Sequence, residues 1–174
     1  SSRIALHCED DQGRSFSYTY AALQADANRL SNVLRALGVT RGDRVAIVLP
    51  QRPETAIAHI AIYQLGAVAM PLSLLFGPDA LEYRLQDSGA VAAIIDPISV
   101  PAIESVRASC PDLASLIVVG THASGAHEWS ELLSAASDRA DCVPTQASDP
   151  AVLIYTSGTT GPPKGALMPH SALI

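Results

Sequence analysis

Residues 41–71 read RGDRVAIVLPQRPETAIAHIAIYQLGAVAMP. Arg41-Gly42-Asp43 is a polar turn, and Arg44–Leu49 is an apolar run rich in β-branched residues. Pro50 to Pro53 interrupts it. Glu54–Gly66 then carries Ala56, Ile60 and Tyr63 at helical spacing, and Val68–Pro71 is a second short strand. Strands that are apolar throughout, rather than alternating, are buried on both faces, as in a parallel sheet. The same unit recurs. Asp79–Ser88 reads as a helix, Val91–Ile95 as a strand, Val100–Ala108 as a helix, Ser115–Val119 as a strand and Trp129–Ala136 as a short helix. The expected fold is therefore α/β, a mostly parallel sheet flanked by helices and joined by right-handed crossovers.

Upstream, Arg3–Tyr20 reads as a β-hairpin around a polar turn at Glu9–Arg14. Thr19 precedes a helix with Leu23, Ala27, Leu30, Leu34 and Leu37 on one face, closed by Gly38. Downstream, Ser137–Pro150 is polar and reads as a connection between two sub-structures. Residues 1–140 are thus expected to form an N-terminal α/β sub-domain, and 141–174 the start of a second. A strand follows at Ala151–Tyr155, and His170–Ile174 resembles the opening of a helix. The chain reads as a fragment of a larger protein.

Composition narrows the function. The chain has 174 residues, 48% of them hydrophobic and 16% charged, with a net charge of −6. That is a core-forming composition, and its acidity argues against a nucleic-acid partner. No apolar run approaches the ~20 residues of a membrane span. Three dispersed cysteines, Cys8, Cys110 and Cys142, suggest neither a disulfide framework nor a zinc site, so a cytoplasmic setting is the expectation.

The chemistry concentrates in Leu153–Ala166, LIYTSGTTGPPKGA. A strand runs into small hydroxyl and glycine residues, then two prolines and a lysine. Gly158 and Gly161 let the backbone turn and present N–H groups closely. Thr156, Ser157, Thr159 and Thr160 supply hydroxyl donors, and Lys164 a mobile cation. This suits a polyphosphate. It is not a Walker loop, because Lys164 follows Pro163 and precedes Gly165, and Thr159 breaks the dinucleotide fingerprint. The competing reading is a solvent turn, which rarely carries so ordered a string. Tyr155 reads as a packing residue. His170 reads as a capping or packing residue, and His59 as helix packing. His122 and His127 lack a third metal ligand, and G-x-S-x-G is absent.

YTSGTTGPPKGA resembles the phosphate-binding signature of the adenylate-forming superfamily, which includes acyl-CoA synthetases, adenylation domains of peptide synthetases and luciferases. FSYTYAALQADANRLSNVLRALGVTRGDRVAIVLP and GAVAMPLSLLFGPDALEYRLQDSGAVAAIID resemble the regions before it, in the style of acyl-CoA synthetases. The resemblance covers nearly the whole chain. It implies the first part of the large domain of an AMP-forming acid:CoA ligase. The acid would attack the α-phosphate of ATP, giving acyl-adenylate and pyrophosphate, and coenzyme A would then take the acyl group.

In that family the loop matching Thr156, Ser157, Gly158, Thr159, Thr160, Gly161 and Lys164 holds the β- and γ-phosphates, with Mg²⁺ sharing the charge; Lys164 is the candidate catalytic residue. Asp43 and Arg44 match the family's turn before its first core strand, for which a structural ion-pair role suffices. The motifs for adenine, ribose, metal and acyl group would lie beyond Ile174, so this fragment is expected to be inactive alone. Residues 66–96 lean towards short- or medium-chain or aromatic acids. The alternatives are an adenylation domain that loads a carrier-protein thiol and a non-catalytic nucleotide-binding module.

Overall fold

The structure is a computed structural model and describes residues 2–9, 12–156 and 161–173. In chain order its elements are β1 (Ile4–Glu9), β2 (Ser15–Thr19), α1 (Tyr20–Ala36), β3 (Arg44–Val48), α2 (Pro53–Gln64), β4 (Val68–Pro71), α3 (Pro78–Ser88), β5 (Ala92–Ile95), α4 (Val100–Val106), β6 (Ser115–Val118), β7 (His127–Glu128), α5 (Trp129–Ala135), β8 (Pro150–Thr156) and β9 (Lys164–Pro169). β1 and β2 form the expected antiparallel hairpin; its turn residues 10 and 11 lie outside the described residues. The other strands form one sheet in the order β7-β6-β5-β3-β4-β8-β9. All neighbours in it are parallel except β8 and β9.

The apolar runs are explained by what lies on each side of the sheet. Val45, Ile47, Ala69, Ala92, Ile94 and Ile117 point to one face, where α1, α2 and α5 pack. Their chain neighbours Ala46, Val48, Met70, Ala93, Ile95 and Val118 point to the other, where α3 and α4 pack. Side chains alternate across a strand, so a strand covered on both faces must be apolar at every position. Each crossover therefore sends a helix to one face or the other.

Local signals set the helix ends. The Thr19 hydroxyl accepts from the Ala22 N–H at 3.1 Å and caps α1. At its far end Gly38 has φ +91°, and Val39 N–H returns to the Leu34 carbonyl at 2.9 Å. Only glycine takes that backbone without strain. Pro53, expected to lie in an interruption, is instead the first residue of α2, as Pro78 is of α3. A first-turn N–H has no intrahelical partner, so proline loses nothing there.

Residues 137–149 form no regular element, yet α1 holds them. Asn28 donates to the Asp138 carbonyl, Asn32 to those of Ser137 and Arg139, and Arg35 to that of Asp141, at 2.8–2.9 Å. Arg41 donates to the Pro144 carbonyl at 2.9 Å and pairs with Asp149 at 2.6 Å. The polar face of α1 is thus a track for this segment, which leads into β8.

Three expectations change. Lys164–Pro169, for which the sequence suggested no element, is an antiparallel strand that closes a hairpin with β8. Residues 170–173 form a single 3₁₀ turn. Asp43 and Arg44 do not serve as an ion pair: the Asp43 carboxylate accepts from the Thr40 N–H and hydroxyl at 2.7 and 2.8 Å. The Arg44 guanidinium donates to the carbonyls of Ser88 and Gly89. A turn beside a helix end offers carbonyls closer than any carboxylate, and the arginine takes them.

Candidate functional site

Parallel strands bring their carboxyl ends to one edge of the sheet. β3, β4, β5 and β8 all end there, and the loops that follow them line that edge. The chain after β3 turns to one face and the chain after β5 to the other, so a crevice opens between those two strand ends. Such a divergence is where open α/β sheets bind ligands. Arg52 bridges it, donating to Glu54 at 2.7 Å and to Asp96 at 3.4 Å.

Two cavities flank this edge. One of about 850 Å³ lies between the β1–β2 hairpin and the crevice, with Glu9, Glu54 and Asp96 in its wall. Its one arginine, Arg52, is already paired with two of those carboxylates, so the cavity opposes an anion. The other, of about 460 Å³, lies over the ends of β3 and β4 and is lined by Leu49, Gln51, Thr55, His59, Leu72 and Ser73. His59 Nδ1 lies 2.9 Å from the Tyr63 hydroxyl, and burial lowers the imidazole's pKa, which keeps the ring neutral near pH 7. Burial also pushes the Tyr63 phenol up to about 12. His170 closes the row, its ring edge-on to Tyr63 at 5.8 Å.

The loop after β8 carries the residues that the sequence marks out for phosphate. Thr156 and Lys164 stand opposite each other as the last paired residues of the β8–β9 hairpin. Both are exposed at the carboxyl edge, so the hydroxyl and the ammonium emerge side by side from the stem of the loop. Gly161 has φ +102°, a backbone open to glycine and strained for other residues. Ser157, Gly158, Thr159 and Thr160 lie outside the described residues.

The stem is braced by α3. Tyr155 donates its hydroxyl to Asp87 at 2.6 Å, and Tyr83 donates its own to the Pro163 carbonyl at 2.9 Å. The two rings meet edge-on at 6.4 Å. The Arg84 guanidinium lies 4.0 Å from the centre of the Phe76 ring and 5.6 Å from that of Tyr155. Arg84 is 8% exposed, and aromatic faces on a buried cation offset part of its lost hydration. Burial, and next the Asp87 carboxylate, push the Tyr155 phenol far up, so it stays a donor at every ordinary pH. Gly165 leaves the room: a Cβ there would stand 2.9 Å from Leu153 Cδ1 and 3.4 Å from Tyr155 Cζ.

Sequence reasoning singled out the loop but not its contacts with α3. Tyr155, read as packing, does pack, and it also ties the loop's first limb to α3. Tyr83 and Asp87 carried one signal, a spacing of four residues that puts both on one helix face. Nothing in the sequence says which strand that face meets.

Among the described residues no group of three or more His, Cys, Asp or Glu could hold a metal ion. The stem residues fit nucleotide phosphate, which needs donors and a cation. They do not supply the carboxylates that would hold magnesium. No helix among the described residues is long and apolar enough to cross a membrane.

The family model described as AMP-binding enzyme matches residues 1–174. The mitochondrial acyl-coenzyme A synthetase ACSM4 of Rattus norvegicus is 34% identical over 171 residues, covering 97% of this chain and 30% of the relative. An acetyl-coenzyme A synthetase of Syntrophus aciditrophicus is 38% identical over 185 residues, covering 95% of this chain and 28% of the relative. Among solved structures, the anthranilate CoA ligase AuaEII in complex with anthranoyl-AMP superposes with a TM-score of 0.88 at 28% identity, over 97% of this chain and 32% of that one. An acyl-CoA synthetase of Brucella canis superposes with a TM-score of 0.90 at 28% identity, over 99% of this chain and 31% of that one. The chain thus spans about 30% of the length of these four relatives.

Proposed function

Because the chain belongs to the family of AMP-binding enzymes, we propose that it is the N-terminal part of an AMP-forming acid:CoA ligase. The observation that carries this reading is the loop stem, where Thr156 and Lys164 pair at the carboxyl edge of the sheet. The whole enzyme would join a carboxylate oxygen to the α-phosphorus of ATP and release pyrophosphate. The thiol of coenzyme A would then form a thioester and release AMP.

In the first step negative charge moves onto the β- and γ-phosphates. The hydroxyl of Thr156, the ammonium of Lys164 and the loop's N–H groups would follow that charge. Donors already in place stabilise the transition state more than the ground state. Mg²⁺, carried by the nucleotide and ligated outside the described residues, would supply further charge neutralisation. The acyl group is read as short- or medium-chain or aromatic, supported by the acetyl-CoA synthetase and the anthranilate ligase among the relatives. A cytoplasmic setting belongs to this reading and is supported by three unpaired cysteines, Cys8, Cys110 and Cys142. We also propose a division near residue 140, with 141–174 opening a second sub-domain. The irregular segment 137–149 supports it.

The test is carboxylate-dependent ATP–pyrophosphate exchange by the full-length chain that carries this sequence, across acetate, butyrate, octanoate and benzoate. Exchange with at least one acid is expected. Lys164→Ala is expected to slow it about 100-fold, the scale for one transition-state donor. No exchange with any of the acids, from a folded protein that binds ATP, would count against the ligase reading.

A further inference from the structure

We propose that Tyr83 is a positioning residue for the phosphate loop, its hydroxyl fixing the Pro163 carbonyl to α3 while Asp87, one turn along, fixes the opposite limb through Tyr155. The proposal rests on the reading of that loop as the polyphosphate site. Among the described residues, cross-strand pairing in the hairpin ends at Thr156 and Lys164. Pro163 has no N–H, so its carbonyl is its only hydrogen-bonding group, and Tyr83 takes it at 2.9 Å. The Pro163 peptide leads directly into Lys164, so fixing that carbonyl fixes the backbone from which the ammonium projects.

On the other limb the Tyr155 hydroxyl reaches Asp87 at 2.6 Å. Tyr83 and Asp87 share one face of α3, so one rigid body grips both limbs. Pro78 starts that helix, Gly89 ends it with φ +57°, and Leu81 and Leu85 sink its other face into the core. The Phe76–Arg84–Tyr155 stack keeps the Tyr155 ring from sliding. A donor array stabilises a transition state only if it need not reorganise during the reaction. A loop that loses one grip should therefore hold polyphosphate less well and turn over slowly, with binding of the acid little changed.

The experiment is Tyr83→Phe in the full-length chain, which removes one oxygen and leaves the ring. Asp87→Asn serves as the second variant, and Glu82→Gln on the same helix as control. Expected for Tyr83→Phe is a kcat for ATP–pyrophosphate exchange lower by roughly 10-fold, the KM for the acid within about two-fold, and an unchanged melting temperature. Asp87→Asn should fall in the same direction and Glu82→Gln should match the wild type. Equal kcat in Tyr83→Phe and wild type overturns the proposal, and so does a loss of kcat that tracks a lowered melting temperature.

Isothermal titration with inorganic tripolyphosphate separates this proposal from the ligase reading. If the wild type exchanges with no acid, the ligase reading fails and the titration decides on Tyr83. Affinity about five-fold weaker in Tyr83→Phe then supports the positioning role. Equal affinity, or no binding by the wild type, overturns it.

Discussion

The central strands and the terminal hairpin of one sheet are stabilised in different ways. β5 and β6 are buried at every position, between helices on both faces. β9 is exposed over Lys164–Leu167, and its partner β8 exposes Ile154 and Thr156. In the centre apolar burial sets the stability, non-directional and spread over many residues. In the hairpin a handful of directed polar contacts set the geometry. Tyr83 to Pro163, Tyr155 to Asp87 and Arg41 to Asp149 each join groups distant in sequence. The loop proposed to hold phosphate grows from the hairpin. Donors that face a soluble nucleotide, as proposed for this loop, need an open side.

The sharpest way to break this contrast is Ile94→Ala. Ile94 is fully buried between the helical layers, and its truncation is expected to cost about 2–5 kcal/mol in urea unfolding. A cost below 1 kcal/mol would mean the centre is no more tightly packed than the hairpin. Lys164→Ala gives the converse. Its large loss of exchange should come with less than about 0.5 kcal/mol of stability, because an exposed side chain is removed. A large drop in unfolding free energy would show that Lys164 holds the hairpin rather than a ligand.

Arg41→Ala tests whether the track that leads to β8 matters. Its guanidinium is half exposed, with the side chain at 52%, so solvent screens the pair and the loss should be about 0.5–1 kcal/mol. Faster amide exchange at residues 143–152 should accompany it, with β5 unchanged. The smallest effect is a pH slope. Burial lowers the His59 pKa from 6.5, so the unfolded chain takes up the proton more readily than the folded one. Its contribution is whole above pH 6.5 and is lost as pH falls below that value. His59→Gln should flatten the fall in stability between pH 7 and 5; an identical slope in both proteins would remove His59 as its source.

Much of the fold was legible because burial on two faces writes itself into sequence as unbroken apolar runs. Arg44–Leu49, Val91–Ile95 and Ser115–Val119 could be read as strands for that reason, and each appears within a residue of its expected bounds. β9 was not legible. GALM carries no such run and is largely exposed, and its strand character comes from pairing with β8 rather than from its own side chains. The loop stood out in the sequence because small residues, prolines and a lysine in that order have a chemical rationale. Its brace did not, because a tyrosine on a helix looks the same whether it meets solvent or a carbonyl eighty residues away.

The sequence by itself determined the alternation of strands and helices, the caps at Thr19 and Gly38, and the order of small residues, prolines and lysine in the loop after β8. These depend on local backbone preference and on the period of apolar side chains, both written in neighbouring residues. Only the tertiary structure decided the strand order, the placing of β8 beside β4, and the grip of Tyr83 and Asp87 on the two limbs of the loop. Those depend on which surfaces meet when several helices compete to cover one sheet, and that is settled by the packing of the whole chain rather than by any stretch of it.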